Sequence, residues 1–79
     1  MGVNNKTIGQ SVHESVDDYL KTMEGQTVTD LYELVISEVE APLIECVLGF
    51  TNNNQSKTAE ILGLNRGTLR KKLRKYHLL

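Results

Sequence analysis

The sequence predicts an all-α protein with four helices, of which the last two form a helix-turn-helix. Three observations support this fold class. Apolar residues recur at helical spacing, no segment alternates in the manner of a strand, and a glycine separates two short helical segments near the end of the chain. Neither internal repeats nor low-complexity tracts occur in the sequence.

A chain of 79 residues has room for a single domain with a small hydrophobic core. Cys46 is the one cysteine, so no intramolecular disulfide can stabilise the fold. The sequence contains no cluster of zinc ligands and predicts no metal or cofactor. Association of two copies would supply the missing buried surface, so we predict a homodimer.

The first helix is predicted to begin at Ser11, because Ser11 and Glu14 have the spacing of a capping box. Residues 1–10 have few apolar side chains and are predicted to be a flexible tail. Gly25 is predicted to end the helix in a left-handed conformation. Residues 11–50 would then be the dimerisation segment, and residues 51–79 the helix-turn-helix segment, of one domain.

The second helix is predicted to be the longest, over residues 30–49, with Thr29 or Asp30 as its N-cap. Pro42 lies in its interior and should kink it, since proline removes a backbone hydrogen bond. An almost unbroken apolar stripe runs along this helix, and Leu48 lies near its end. The stripe predicts the dimer interface, with residues Leu31, Leu34, Val35, Val39, Leu43 and Val47.

A third helix over residues 55–62 and a fourth over residues 66–76 follow a polar loop at residues 51–54. Ala59 provides the small residue needed where the two helices cross, and Gly63 tolerates the positive φ of the turn. Asn65 is predicted to cap the fourth helix. The contacts that lock this pair are predicted to come from four leucines, Leu62, Leu64, Leu69 and Leu73.

Charge is divided sharply along the chain. Residues 1–50 contain nine acidic residues and two lysines, a balance of −7, whereas residues 51–79 contain seven Lys and Arg residues and one Glu, a balance of +6. A basic terminal helix after a helix-turn-helix spacing is typical of proteins that bind DNA. No apolar stretch is long enough to span a membrane, and no signal peptide opens the chain, so a cytosolic protein is predicted.

Side-chain chemistry divides the polar residues of this segment into two predicted groups. Asn65 and Arg66 lie at the start of the fourth helix, the end that enters a major groove, and they can bond base edges. Other polar and basic side chains suit phosphates, which carry no sequence information. The predicted phosphate ligands are Asn54, Ser56, Thr68, Lys71, Lys72, Arg74 and Lys75.

The chain closely resembles the Fis family of bacterial nucleoid proteins, the factors for inversion stimulation. The resemblance is carried by two segments, LYELVISEVEAPL (residues 31–43) and NRGTLRKKLRKY (residues 65–76). The likeness runs from about Ser11 to Tyr76. It implies an intertwined homodimer that bends DNA, because its two recognition helices are closer together than one turn of the duplex. It also implies a transcriptional regulator located in the nucleoid, with Asn65, Arg66 and Arg70 as the residues that read bases. Similar segments in NtrC-class activators follow an ATPase domain, which this chain lacks.

The resemblance raises two further partners, a recombinase and RNA polymerase, but two departures count against them. Relatives that stimulate DNA inversion contact the recombinase through an N-terminal β-hairpin, and here about ten residues precede the predicted first helix. Some relatives contact the polymerase through a basic residue in the loop before the third helix, whereas residues 51–54 carry no positive charge.

Other interpretations of the same residues remain open. The basic run could be a solvated helix face, and the acidic half could be the working surface of a protein-interaction module. Catalysis is nearly excluded, because the sequence has no nucleophile with a matching base. Cys46 is predicted to be a buried small side chain. The acidic residues of the second helix are predicted to form a hydrated face: Glu33, Glu38, Glu40 and Glu45.

Overall fold

The computed structural model describes residues 6–79, and these residues form four helices and no strand. They are α1 (Ile8–Thr22), α2 (Leu31–Phe50), α3 (Gln55–Leu62) and α4 (Arg66–Lys75). The predicted fold class is therefore confirmed. None of these helices has the length and apolar character that a membrane span requires.

Helix α1 begins three residues earlier than the sequence predicted. Thr7 is its N-cap, and the Thr7 hydroxyl accepts a hydrogen bond from the Gln10 backbone N–H at 3.0 Å. The Gln10 side chain accepts one from the Thr7 N–H at 2.8 Å. This is a complete capping box, so the predicted start at Ser11 was wrong because an equivalent pair lies upstream. The remainder of the predicted tail, residues 1–5, lies outside the described residues.

The end of α1 also differs in detail from the prediction. Met23 is the C-cap, and its N–H donates to the Tyr19 carbonyl at 3.0 Å, while the Glu24 N–H donates to the Lys21 carbonyl at 3.3 Å. Gly25 does have a positive φ of 81°, as predicted, but it lies in the loop beyond the cap. Asp30, immediately before α2, has a φ of 56° and not the extended backbone of an ordinary N-cap.

Helix α2 ends in a Schellman motif, which satisfies two of its last carbonyl groups. The Asn53 N–H donates to the Leu48 carbonyl at 2.8 Å, and the Asn52 N–H donates to the Gly49 carbonyl at 3.3 Å. Asn52 adopts φ 56°, which asparagine tolerates better than most residues. Pro42 lies within the helix, as predicted. The predicted kink at Pro42 remains a prediction.

The boundaries of α3 and the start of α4 are those that the sequence predicted. Gly63 ends α3 with φ 75°, and the Leu64 N–H donates to the Ala59 carbonyl at 2.9 Å. Asn65 caps α4. Tyr76, predicted as the last helical residue, is the C-cap of α4. His77 then takes φ 57°, which lets the Leu78 N–H reach the Leu73 carbonyl at 2.8 Å.

By its internal contacts the chain divides into two compact units, Met1–Val35 and Ile36–Leu79. The second unit contains a hydrophobic core built from α2, α3 and α4. Leu62, Tyr76 and Leu78 pack against this core at its edge. Its buried apolar side chains are Ile44, Leu48, Ala59, Leu69 and Leu73. The functional division at residue 50 remains a prediction.

The apolar stripe of α2 is not a single surface. Ile44, absent from the predicted stripe, is the most buried residue of α2, and Leu48 lies one turn further along. The six predicted interface residues are half-buried or exposed within the single chain, and Leu43 keeps 50% of its surface exposed. Cys46 is exposed, so the prediction that it is buried in the chain was wrong.

Candidate nucleic-acid interface

Helices α3 and α4 are joined by the predicted turn and share a buried apolar contact. Ala59 is 3% exposed, and Leu69 and Leu73 of α4 are buried with it. The neighbouring Thr58 side chain is also buried, and its hydroxyl lies 2.7 Å from the Thr51 hydroxyl. This pairing satisfies both hydroxyl groups and fixes the start of α3 to the end of α2.

The opposite side of α4 carries exposed cations. Since Leu69 and Leu73 occupy its inner side, the residues that point away from the core are those about half a turn from them. Arg66 at the helix start is also exposed. The exposed basic side chains of α4 are Arg66, Lys71, Arg74 and Lys75. We call the last three, which point away from Leu69 and Leu73, the cationic face; Arg66 lies nearer the inner side and is exposed because it begins the helix.

Arg70 lies on one flank of the buried stripe and is held by α3. One of its guanidinium nitrogens donates to the Gln55 side-chain oxygen at 2.7 Å. Arg70 is half-buried, and this bond links two residues fifteen positions apart. Gln55 therefore orients Arg70 while leaving most of its five N–H donors uncommitted to this bond.

Lys72 lies on the other flank of the buried stripe and faces α2. The Lys72 ammonium is 2.8 Å from one Glu40 carboxylate oxygen, and the Tyr76 hydroxyl donates to the other. The hydrogen bond from Lys72, and next the one from Tyr76, hold the pKa of Glu40 below its ordinary value, although burial acts in the opposite direction. Glu40 therefore contacts α4 and is not part of a hydrated face. Lys72 has a carboxylate partner in the chain, and its role as a phosphate ligand remains a prediction.

Two asparagines cap the helices of this motif. The Asn54 side-chain oxygen accepts from the Lys57 N–H at 3.0 Å, and the Asn65 oxygen accepts from the Thr68 N–H at 2.7 Å. The Asn65 oxygen therefore already has a partner, so bidentate bonding of the Asn65 amide to an adenine would compete with capping. The amide NH₂ group remains its available donor for a base or a phosphate.

The polar anchors Glu40, Gln55 and Tyr76 were not among the predicted site residues. For Glu40 the sequence does contain a signal. Glu40, Ile44 and Leu48 recur every four residues, so they share one side of α2, the side that enters the core. The pairing of Gln55 with Arg70 has no such signal, since it depends on how α3 and α4 cross. Residues 6–79 contain no group of three metal-ligating side chains.

Comparison with known proteins gives a consistent family match. Residues 35–76 match the family model described as bacterial regulatory protein, Fis family. The chain is 53% identical over 74 residues to a putative Fis-like DNA-binding protein of Pseudomonas aeruginosa, covering 94% of this chain and 71% of that protein. It is 50% identical over 74 residues to the DNA-binding protein Fis of Histophilus somni, covering 94% of this chain and 76% of that protein.

Proposed function

We propose that this chain, which belongs to the Fis family of bacterial regulatory proteins, is a DNA-binding homodimer that bends the duplex. In this role it acts as a nucleoid-associated regulator of transcription, in the cytoplasm. Its function is binding and not catalysis. Relatives in Histophilus somni and Haemophilus influenzae are named DNA-binding protein Fis.

One observation carries the proposal, namely the amphipathic build of α4. Leu69 and Leu73 are buried, so the cationic face is turned outward from a fixed helix. Cations that neutralise phosphates release counterions from the duplex, which supplies the sequence-independent part of the affinity. Lysines suit this role as point charges, whereas arginine can also bond guanine in a bidentate manner.

We propose Arg66, Arg70 and Asn65 as the residues that read bases. Arg66 is exposed at the start of α4, the end that a helix-turn-helix inserts into the major groove. Gln55 would hold Arg70 in one orientation, which reduces the entropy lost when it binds a base edge. Asn65 would contribute its NH₂ group, since its oxygen caps α4.

The proposed phosphate contacts come from the helix starts and from the cationic face. An anion at a helix start is stabilised by backbone N–H groups and by the helix dipole. Asn54 and Ser56 lie at the start of α3, and Thr68 lies in the first turn of α4. With the basic side chains, the proposed set is Asn54, Ser56, Thr68, Lys71, Lys72, Arg74 and Lys75.

The homodimer is proposed from the apolar surface that α2 leaves open. The predicted interface residues Leu34, Val39 and Leu43 are among the exposed large apolar side chains of the chain. Two copies would place two recognition helices on successive major grooves. Bending DNA to reach both would cost about 1–6 kcal/mol, which phosphate contacts on the flanks offset. Neither a recombinase nor RNA polymerase is included among the proposed partners.

A mobility-shift titration tests the proposal directly. In dilute buffer the protein should shift a random duplex with a dissociation constant of about 10⁻⁴–10⁻⁶ M or tighter. Absence of any shift would contradict DNA binding and favour an acidic protein as the partner of the basic segment.

Two alanine variants test the division between base contacts and phosphate contacts. Arg66→Ala should lose about 1–3 kcal/mol at the best site and change binding to random DNA little. Lys71→Ala should weaken binding to every sequence alike and reduce the salt dependence by about one phosphate contact. Equal losses of Arg66→Ala on both kinds of DNA would remove Arg66 from the base-reading set.

A further inference from the structure

The loop between α2 and α3 is closed by hydrogen bonds of its own backbone. The Asn52 and Asn53 N–H groups donate to carbonyls near the end of α2, and the Asn54 N–H donates to the Thr51 carbonyl at 3.2 Å. Asn52 and Asn53 both adopt a positive φ, of 56° and 65°. Three successive backbone donors are thus satisfied, and the loop ends at Asn54, which caps α3 and is a proposed phosphate ligand.

The Thr51 hydroxyl contacts both ends of this loop. Its oxygen lies 3.3 Å from the Leu48 carbonyl at the end of α2, and 3.3 Å from the Asn54 carbonyl at the start of α3. It also lies 2.7 Å from the Thr58 hydroxyl. Carbonyl groups cannot donate, so the Thr51 proton lies toward them and Thr58 donates to Thr51. We call Thr51 and Thr58 the threonine pair; together their hydroxyls form a chain of hydrogen bonds that ends on the backbone of Asn54.

Thr58 holds the same carbonyl group a second time, through its backbone. The Thr58 N–H donates to the Asn54 carbonyl at 2.9 Å. The Thr58 residue is 0% exposed, so its hydroxyl lies behind the surface that faces DNA. A phosphate cannot reach this hydroxyl, and DNA therefore offers no competing partner for the threonine pair.

We propose that the threonine pair positions Asn54 for its phosphate contact, which makes Thr58 a positioning residue for DNA binding. This inference rests on the proposed DNA-binding function. The Asn54 side-chain oxygen accepts from the Lys57 N–H at 3.0 Å, which leaves the Asn54 NH₂ group as the donor to a phosphate. The backbone of Asn54 sets where this group lies, and the threonine pair holds that backbone. Thr58 acts on DNA only through Asn54.

The test is the affinity for a random duplex over a range of salt concentrations, measured for the wild type, Thr58→Val and Thr58→Ser. Valine keeps the branched shape of threonine and removes the hydroxyl. The affinity of Thr58→Val should fall by about fivefold for each subunit that engages the duplex, the contribution of about one net hydrogen bond. The slope of log affinity against log salt concentration should not change, because no cation is lost. Thr58→Ser keeps the hydroxyl and should bind as the wild type does.

Asn54→Ser connects the threonine pair to the residue that it positions. Serine still caps α3 through its oxygen but lacks the NH₂ group. Asn54→Ser should therefore weaken binding about as much as Thr58→Val. The double variant Asn54→Ser/Thr58→Val should be no weaker than Asn54→Ser alone, because the two changes remove the same contact.

Thr22→Val is the matched control. The Thr22 hydroxyl donates to the Asp18 carbonyl at 2.8 Å on α1, so this variant also removes a bonded threonine hydroxyl, but outside the helix-turn-helix. Its affinity for DNA should equal that of the wild type. A purely structural role of Thr58 would loosen the whole motif, and the loss of lysine contacts from α4 would then make the salt slope shallower.

Three outcomes would overturn the inference while leaving the proposed function intact. They are a Thr58→Val affinity equal to that of the wild type, a Thr58→Ser affinity as low as that of Thr58→Val, and losses that add in the double variant. If Thr58→Val does not fold, Thr51→Val removes the same chain of hydrogen bonds at a half-buried position and is judged by the same affinity and slope. A wild type that binds no duplex in dilute buffer would instead overturn the proposed function, and this inference with it.

Discussion

At the scale of single residues, the polar side chains of α4 divide by what they contact within the protein. Arg70 and Lys72 each have an intramolecular partner, whereas Arg66 and Lys71 are exposed. Gln55 is neutral, so Arg70 keeps its full charge, whereas the charge of Lys72 is offset by the Glu40 carboxylate. The basic side chains of α4 therefore differ in how far their charge is offset within the protein.

The Glu40 contact should make stability depend on pH. The hydrogen bond from Lys72, followed by that from Tyr76, lowers the pKa of Glu40 in the folded chain. A lowered pKa gives a stabilisation that is complete above the pKa of the unfolded chain, about 4.3 for Glu, and that is lost as the pH falls through the folded value. Glu40→Gln should therefore reduce the free energy of unfolding by about 1 kcal/mol near pH 7 and much less in acid.

Urea unfolding at neutral pH and well below pH 4, at one fixed protein concentration, measures this difference. Glu45→Gln is the control, because Glu45 is an exposed carboxylate on the same helix and its loss should change stability little at either pH. A destabilisation by Glu40→Gln that is equally large at both pH values would show that the charge of Glu40 contributes nothing.

At the scale of elements, local patterns predicted α3 and the start of α4 correctly. Asn65 and Gly63 are strong local signals, since one caps a helix and the other allows a positive φ. The start of α1 was missed because Thr7 and Gln10 form a capping box as well as Ser11 and Glu14 could. Local chemistry allowed two starts, and no local signal favoured the earlier one.

The surfaces of α2 were harder to assign, for a different reason. This helix is apolar on more than one side, so periodicity alone cannot say which side meets α3 and α4. The sequence placed Leu43 on the main stripe and overlooked Ile44, whereas Ile44 is buried and Leu43 is half exposed. The Glu40 contact was missed with it, because its partners lie more than thirty residues away.

The turn between α3 and α4 gives a prediction about backbone conformation. Gly63 has φ 75°, and a Cβ added there would meet no atom within 4 Å. The cost of Gly63→Ala is therefore backbone strain alone, about 1 kcal/mol of destabilisation.

Gly49, inside α2, also has open space at its Cβ position, but its φ is not positive. Gly49→Ala should stabilise the protein by about 0.5–1 kcal/mol. Chemical unfolding of both variants should give opposite signs; the same sign would contradict this account.

At the scale of the whole molecule, apolar surface and charge are separated. The exposed residues Val39, Leu43, Cys46 and Phe50 follow one another at intervals of four, three and four along α2, the spacing of a seam between two helices. The cations lie on α4. An apolar seam on one helix and a cationic face on another would let the protein dimerise and bind DNA without competition between the two surfaces.

Dimerisation can be tested by placing a charge on this seam. Leu43→Glu puts a carboxylate on each of the two facing helices, where it would be desolvated without a cation, so the variant should be a monomer. Light scattering at micromolar concentration should give twice the 8.9 kDa chain mass for the wild type and a single chain mass for Leu43→Glu.

Ile61→Glu is the matched control. Ile61 is 49% exposed, nearly the same as Leu43 at 50%, but it lies on α3 outside the seam, so this variant should remain a dimer. Because one subunit reaches only one groove, Leu43→Glu should also lose the DNA bend while each chain keeps its cationic face. A monomeric wild type, or a Leu43→Glu variant that stays dimeric and still bends DNA, would show that this side of α2 is not the interface.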